Sequence, residues 1–259
     1  MLRKCFKESL ISITALSVAL LSGCGSSSAA SSTANQTVSS NSLQESTTAE
    51  STVEVETDDA AASQLLDDLG GTYQELWPVL LDDQYDNIWL EDSAAIVGEE
   101  NAQAAVDKLS SMVTADIYGE EAAEAYASDP DSMAYDCSFT QDLSQLTFDG
   151  DTISGVDNSG NPLFSHEYHY IGMEETRGLY EYQSADADSG EFTYFFIAPD
   201  TSETTYHIEF RYGADQDALE SYDSGAYAYW LASGISTDYD ETMIDNCIEL
   251  FCTENLSGN

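Results

Sequence analysis

Leu146-Thr147-Phe148-Asp149-Gly150-Asp151-Thr152-Ile153 is the stretch from which the fold of this chain can be read. Two runs rich in strand-forming residue types flank Asp149-Gly150, a pair that closes tight hairpin turns. Working outward, similar short runs rich in Tyr, Phe, Thr and Ile recur beyond Tyr135, separated by turn residues at Asn158-Ser159-Gly160, Ser189-Gly190 and a turn centred on Pro199. The predicted strands are Gln145 to Phe148, Thr152 to Val156, Leu163 to Tyr170, Gly178 to Tyr182, Phe192 to Ala198 and Tyr206 to Tyr212. They form an antiparallel meander, numerous enough to curl into a small barrel, which would leave no exposed sheet edge.

Before the meander the pattern is helical. Leu65, Leu66, Leu69, Tyr73, Leu76, Trp77 and Leu80 recur at helical spacing, interrupted by Gly70-Gly71 and Pro78, which predicts short helices; Ala102 to Met112 is a further helix. The chain closes with a helix from about Asp238 to Cys252, whose Met243, Ile244, Cys247, Ile248 and Phe251 form one apolar stripe. The expected class is α+β, mainly β: an antiparallel β-barrel with flanking helices.

The N-terminus predicts where the protein works. Arg3, Lys4 and Lys7 precede the apolar run Leu10 to Leu21. That run is shorter than the roughly 20 residues a bilayer span needs, but suits the apolar region of a signal peptide. Leu21-Ser22-Gly23-Cys24 at its end resembles the lipobox of bacterial lipoproteins. The resemblance implies that residues 1–23 are removed and that Cys24 is lipidated with a diacylglycerol. Two acyl chains anchor stably. Residues 24–57 then form a tether, with 16 Ser or Thr between Gly25 and Thr57 and no aromatic between Gly25 and Thr72, holding the domain roughly 30 Å from the lipid. Residues 58–259 are expected to form one globular domain.

Charge excludes one class of partner. Taking Arg3, Lys4, Lys7 and Glu8 from the 6 basic and 49 acidic residues leaves Lys108, Arg177 and Arg211 against 48 acids. Such a surface repels nucleic acid and anionic membranes, so the only membrane association expected is through the lipid anchor. Beyond Cys24 the cysteines are Cys137, Cys247 and Cys252. The last two lie five apart on a predicted helix, about 140° apart at 100° per residue, so any disulfide would use Cys137. With no Cys-x-x-Cys pair, neither a thiolate zinc site nor a redox motif is indicated.

Three stretches of the domain carry a family resemblance: Gly71-Thr-Tyr-Gln-Glu-Leu-Trp-Pro-Val-Leu-Leu81, the hairpin Leu146 to Ile153, and Phe196-Ile-Ala-Pro199 leading into Tyr206-His-Ile-Glu-Phe-Arg-Tyr-Gly213. Together they resemble the ZinT family of extracytoplasmic zinc-binding proteins, which also occurs as the C-terminal domain of AdcA-type zinc lipoproteins. The resemblance implies a calycin-like (lipocalin-like) barrel and a bound zinc ion delivered to a metal transporter. It also implies three histidines converging in the barrel mouth, at positions held here by Phe195, Thr205 and His207. Only His207 keeps an imidazole. Glu209, two residues on and on the same strand face, is the best local partner, since a carboxylate is an acceptable zinc ligand.

Other motifs are weaker. His166-Glu-Tyr-His169 has its second histidine one position too early for a metalloprotease helix and sits in a strand-like context, where the two rings face opposite sides. Asp186-Ala-Asp188-Ser-Gly190 departs from a calcium loop in its glycine and lacks the closing Glu. No nucleophile elbow, phosphate loop or dinucleotide fingerprint occurs, so an enzyme is not expected. The expected function is capture of zinc or another divalent metal ion by a lipid-anchored protein outside the cytoplasmic membrane, with His207 and Glu209 as ligands. The competing reading is a barrel that no longer binds metal and takes an organic ligand or protein partner at its aromatic mouth, with Phe195 in the old metal position.

Overall fold

Eight antiparallel strands, each bonded to the next and the last to the first, close a barrel in simple sequence order. The computed structural model describes residues 60–198 and 207–257. The expected signal peptide, Cys24, the tether, the Pro199 turn and Thr205 all lie outside the described residues.

The strands are β1 (Gly71–Glu75), β2 (Gln145–Asp149), β3 (Thr152–Val156), β4 (Pro162–Glu174), β5 (Leu179–Ser184), β6 (Tyr194–Ile197), β7 (His207–Gly213) and β8 (Ala232–Ser236). The helices are α1 over 60–68, α2 (Trp77–Leu80), α3 (Asp86–Val97), α4 (Ala102–Val113), α5 (Glu120–Tyr126), α6 (Gln216–Leu219) and α7 (Glu241–Leu256). Asp240 caps α7, its carboxylate accepting from the Met243 N–H at 3.0 Å.

The six strands expected from the sequence are present. The two that close the barrel, β1 and β8, differ from the sequence reading. The helical spacing through Tyr73 is broken at Gly70-Gly71, and residues 71–75 satisfy their backbone by pairing with β2 on one side and β8 on the other. Long-range hydrogen bonds thus override a local pattern. Strand β8, Ala-Ser-Gly-Ile-Ser, has only Ile235 of the bulky residue types that mark a strand. Its residues are small because the wall is crowded there: a Cβ on Gly234 would meet Ile208 Cγ1 at 3.1 Å and Phe139 Cζ at 3.3 Å. Helix α3 was also not anticipated.

Two cores result. Inside the barrel, Phe148, Tyr168, Tyr182, Phe195, Phe210, Tyr212 and Trp230 are all buried and pack ring against ring, as in Phe195–Tyr212 (5.4 Å) and Tyr212–Trp230 (5.0 Å). The interior is filled with side chains. Outside, α2, α3, α4 and α7 cover one flank of the wall through a second core that includes Leu76, Trp77, Trp89, Leu109, Ile248, Phe251 and the outward Ile235 of β8. Trp77 and Trp89 both meet Phe251 edge-on, at 4.7 and 6.1 Å.

Candidate functional site

Alternation along β7 divides its residues between these two cores. Ile208, Phe210 and Tyr212 belong to the barrel core, so His207, Glu209 and Arg211 face outward. The pairing agrees: His207 lies opposite Ile235 and Glu209 opposite Ser233 on β8.

His207 and Glu209 therefore line a small cavity between the wall and the helices, not the barrel mouth. Leu76, Trp77 and Leu80 form one side of it, and Cys247, Leu250, Phe251 and Glu254 of α7 the other. The α7 residues fall at i, i+3, i+4 and i+7, one helix face. The cavity measures about 30 Å³, room for a single water molecule or ion.

Electrostatics suit a ligand. Burial pushes the His207 imidazole down to about 4, so at neutral pH it is uncharged, the form in which imidazole binds metal. Burial also pushes the Cys247 thiol up to about 12, keeping it protonated. Among the described residues no three His, Cys, Asp or Glu side chains converge as they would around a bound ion.

The structure thus unites His207 with Glu209 as expected, and moves both. Phe195 does not occupy a metal position facing His207: it pairs with Tyr212 and Tyr182 and points into the aromatic core, because Tyr212 lies five positions after His207, an odd offset that puts the two on opposite faces of β7. The outward neighbour on β6 is Phe196, opposite Arg211. Cys247 and Glu254 were not anticipated as neighbours. Their seven-residue spacing on the closing helix was the available signal.

The remaining motifs lie apart from this cavity. His166 lies opposite the buried Ile153 and His169 is exposed on the other face of β4, as expected for residues three apart. His166 Nδ1 is 2.7 Å from Asp186 Oδ2, and Ser184 accepts from the Asp186 N–H, so the segment 184–189 is a bonded turn. Among the described residues Cys137, Cys247 and Cys252 form no disulfide and are buried, with Cys252 near Ser93 Oγ at 3.6 Å. No described helix is long and apolar enough to cross a membrane.

No family model matches the sequence, and no curated protein does. Among solved structures, the chain is similar to the Zn(II)-bound ZinT-like domain of Streptococcus pneumoniae AdcA, with 15% identity, a TM-score of 0.44 and coverage of 70% of this chain and 87% of that one. It is also similar to Zn(II)-bound AdcA from the same organism, with 13% identity, a TM-score of 0.40 and coverage of 71% and 34%.

Proposed function

We propose that this is a ZinT-type binding protein, not an enzyme, that works outside the cytoplasmic membrane on a Cys24 lipid anchor and captures zinc or another divalent cation at the outward face of β7. The observation that carries the reading is the cavity shared by His207 and Glu209 on one strand face with Cys247 and Glu254 on one helix face. Imidazole and carboxylate are donor types zinc takes, and the Cys247 thiol would have to release its proton on binding to act as a third. The neutral imidazole has no proton to lose before it ligates. Because the side chains do not already converge, capture includes rotation of Glu209 and Glu254 toward the ring, and the affinity is modest. A metal transporter is the proposed receiver of the ion.

The test is calorimetric titration of the metal-stripped full-length protein with zinc at about 0.5 M salt, where screening suppresses diffuse binding to the acidic surface. One-to-one binding that is lost in His207→Ala and weakened in Glu209→Gln supports the proposal. Weak, multi-site binding that salt abolishes and His207→Ala leaves unchanged overturns it.

A further inference from the structure

A second cavity lies away from the His207 site, between the end of β1, helix α2, the 139–144 loop and the β3–β4 turn. Its volume is about 470 Å³, within the range of small-molecule sites. Its walls are fixed from behind. The Tyr212 hydroxyl, buried in the barrel, donates to the Thr140 carbonyl at 2.8 Å and accepts from the Thr140 N–H at 2.6 Å. The Glu75 carboxylate accepts from the Phe139 N–H at 2.7 Å. In the β3–β4 turn the Asp157 carboxylate accepts from the N–H groups of Ser159 and Asn161, both at 2.8 Å.

On this frame, Gln141 and Asp142 are held in the left-handed region, at φ of 57° and 61°. Neither is glycine, and each such residue costs on the order of 1 kcal/mol. Their side chains, with those of Gln74 and Asn158, line the cavity and make no hydrogen bond to another described residue. Strain is thus maintained at a loop whose polar groups are available to a ligand.

The chemistry of the rim selects that ligand. None of the domain's three cationic side chains lines it, and the carboxylates of Glu75 and Asp142 disfavour anions. No metal-binding trio exists there among the described residues. Amide groups and hydroxyls both donate and accept, which matches hydroxyls that do the same. Pro78 and Val79 add an apolar strip suited to the C–H face of a sugar ring.

We propose that this cavity is a second binding site, for a small uncharged polyhydroxylated ligand of monosaccharide type, independent of the cation site. Saturation-transfer NMR and calorimetry on the full-length protein, with glucose as the probe and putrescine as an organic-cation control, test it. Glucose is expected to bind in the millimolar range, and Asn158→Ala and Asp142→Gly each to weaken it about fivefold, as loss of one hydrogen-bond partner would. Asp142→Gly also relieves the left-handed backbone, so a melting temperature that does not fall separates lost binding from lost folding. In His207→Ala, glucose binding is expected to persist, which distinguishes this site from the proposed metal site. Absence of a glucose signal at about 20 mM, putrescine binding in place of glucose, or glucose binding unaffected by both cavity variants each overturns the proposal.

Discussion

Phe195, opposite Tyr212 on β7, points into the barrel, whereas His207, five residues before Tyr212 on that strand, faces the helices outside. The pleat of one strand thus places the two positions on opposite sides of a wall. A histidine at 195 would reach the aromatic core and not the cavity.

Phe195→His is therefore expected to leave zinc affinity unchanged. It should instead destabilise the fold by about 3 kcal/mol, since it puts a polar ring without a partner among Tyr168, Phe210 and Tyr212. Urea unfolding beside a zinc titration checks both halves.

Arg211, fully buried on the outer face of β7, ties the loop after β7 to the barrel. Its guanidinium donates to the carbonyls of Leu219, Ser221 and Tyr227 and lies 4.4 Å from the Tyr222 ring centroid, with Arg177 4.3 Å from the same ring. Arg211→Ala leaves those carbonyls without donors and is expected to cost about 3 to 5 kcal/mol. Arg211→Lys, whose ammonium lacks the planar fork, should recover less than half of that. Thermal melts of the two variants measure it.

A carboxylate on α3 gives the stability a pH dependence. Burial, then the charges of Asp245, Glu249 and Glu91, push Asp92 up to about 6. The folded state holds that proton more tightly than the unfolded chain, so the contribution to stability is present at low pH and falls away as pH rises from about 4 to about 6. At pH 7 the folded state carries the full penalty. Asp92→Asn is expected to raise the melting temperature there by about 2 to 4 °C, roughly 1 kcal/mol after discounting for solvent that screens a partly exposed group. Melting at pH 4 should show a smaller gain.

Gly155 sits on β3 between Leu146 of β2 and Phe164 of β4. A methyl group there would collide with the side chains of Leu143 and Phe164. Gly155→Ala is expected to cost about 1 to 3 kcal/mol through overpacking, despite its higher strand propensity. Chemical denaturation checks the sign.

The hairpin around Asp149-Gly150, the strands that follow it and the closing helix were legible in the sequence, because turn residues and side-chain periodicity are local properties. So was the pairing of His207 with Glu209, since residues two apart on a strand share a face. Strands β1 and β8 were not legible. The first borrows helical spacing from its neighbours and the second has small side chains at every position but Ile235, and both owe their conformation to hydrogen bonds with each other and with strands distant in sequence.

What the sequence determined by itself was the barrel's meander, the large excess of acidic over basic residues, and the imidazole at 207. What tertiary structure alone decided was which side of the wall that imidazole faces, and that Cys247 and Glu254 line the same cavity. Alternation fixes relative faces along a strand, but only packing against Phe251 and Trp77 on one side and Phe195 on the other says which face is inside.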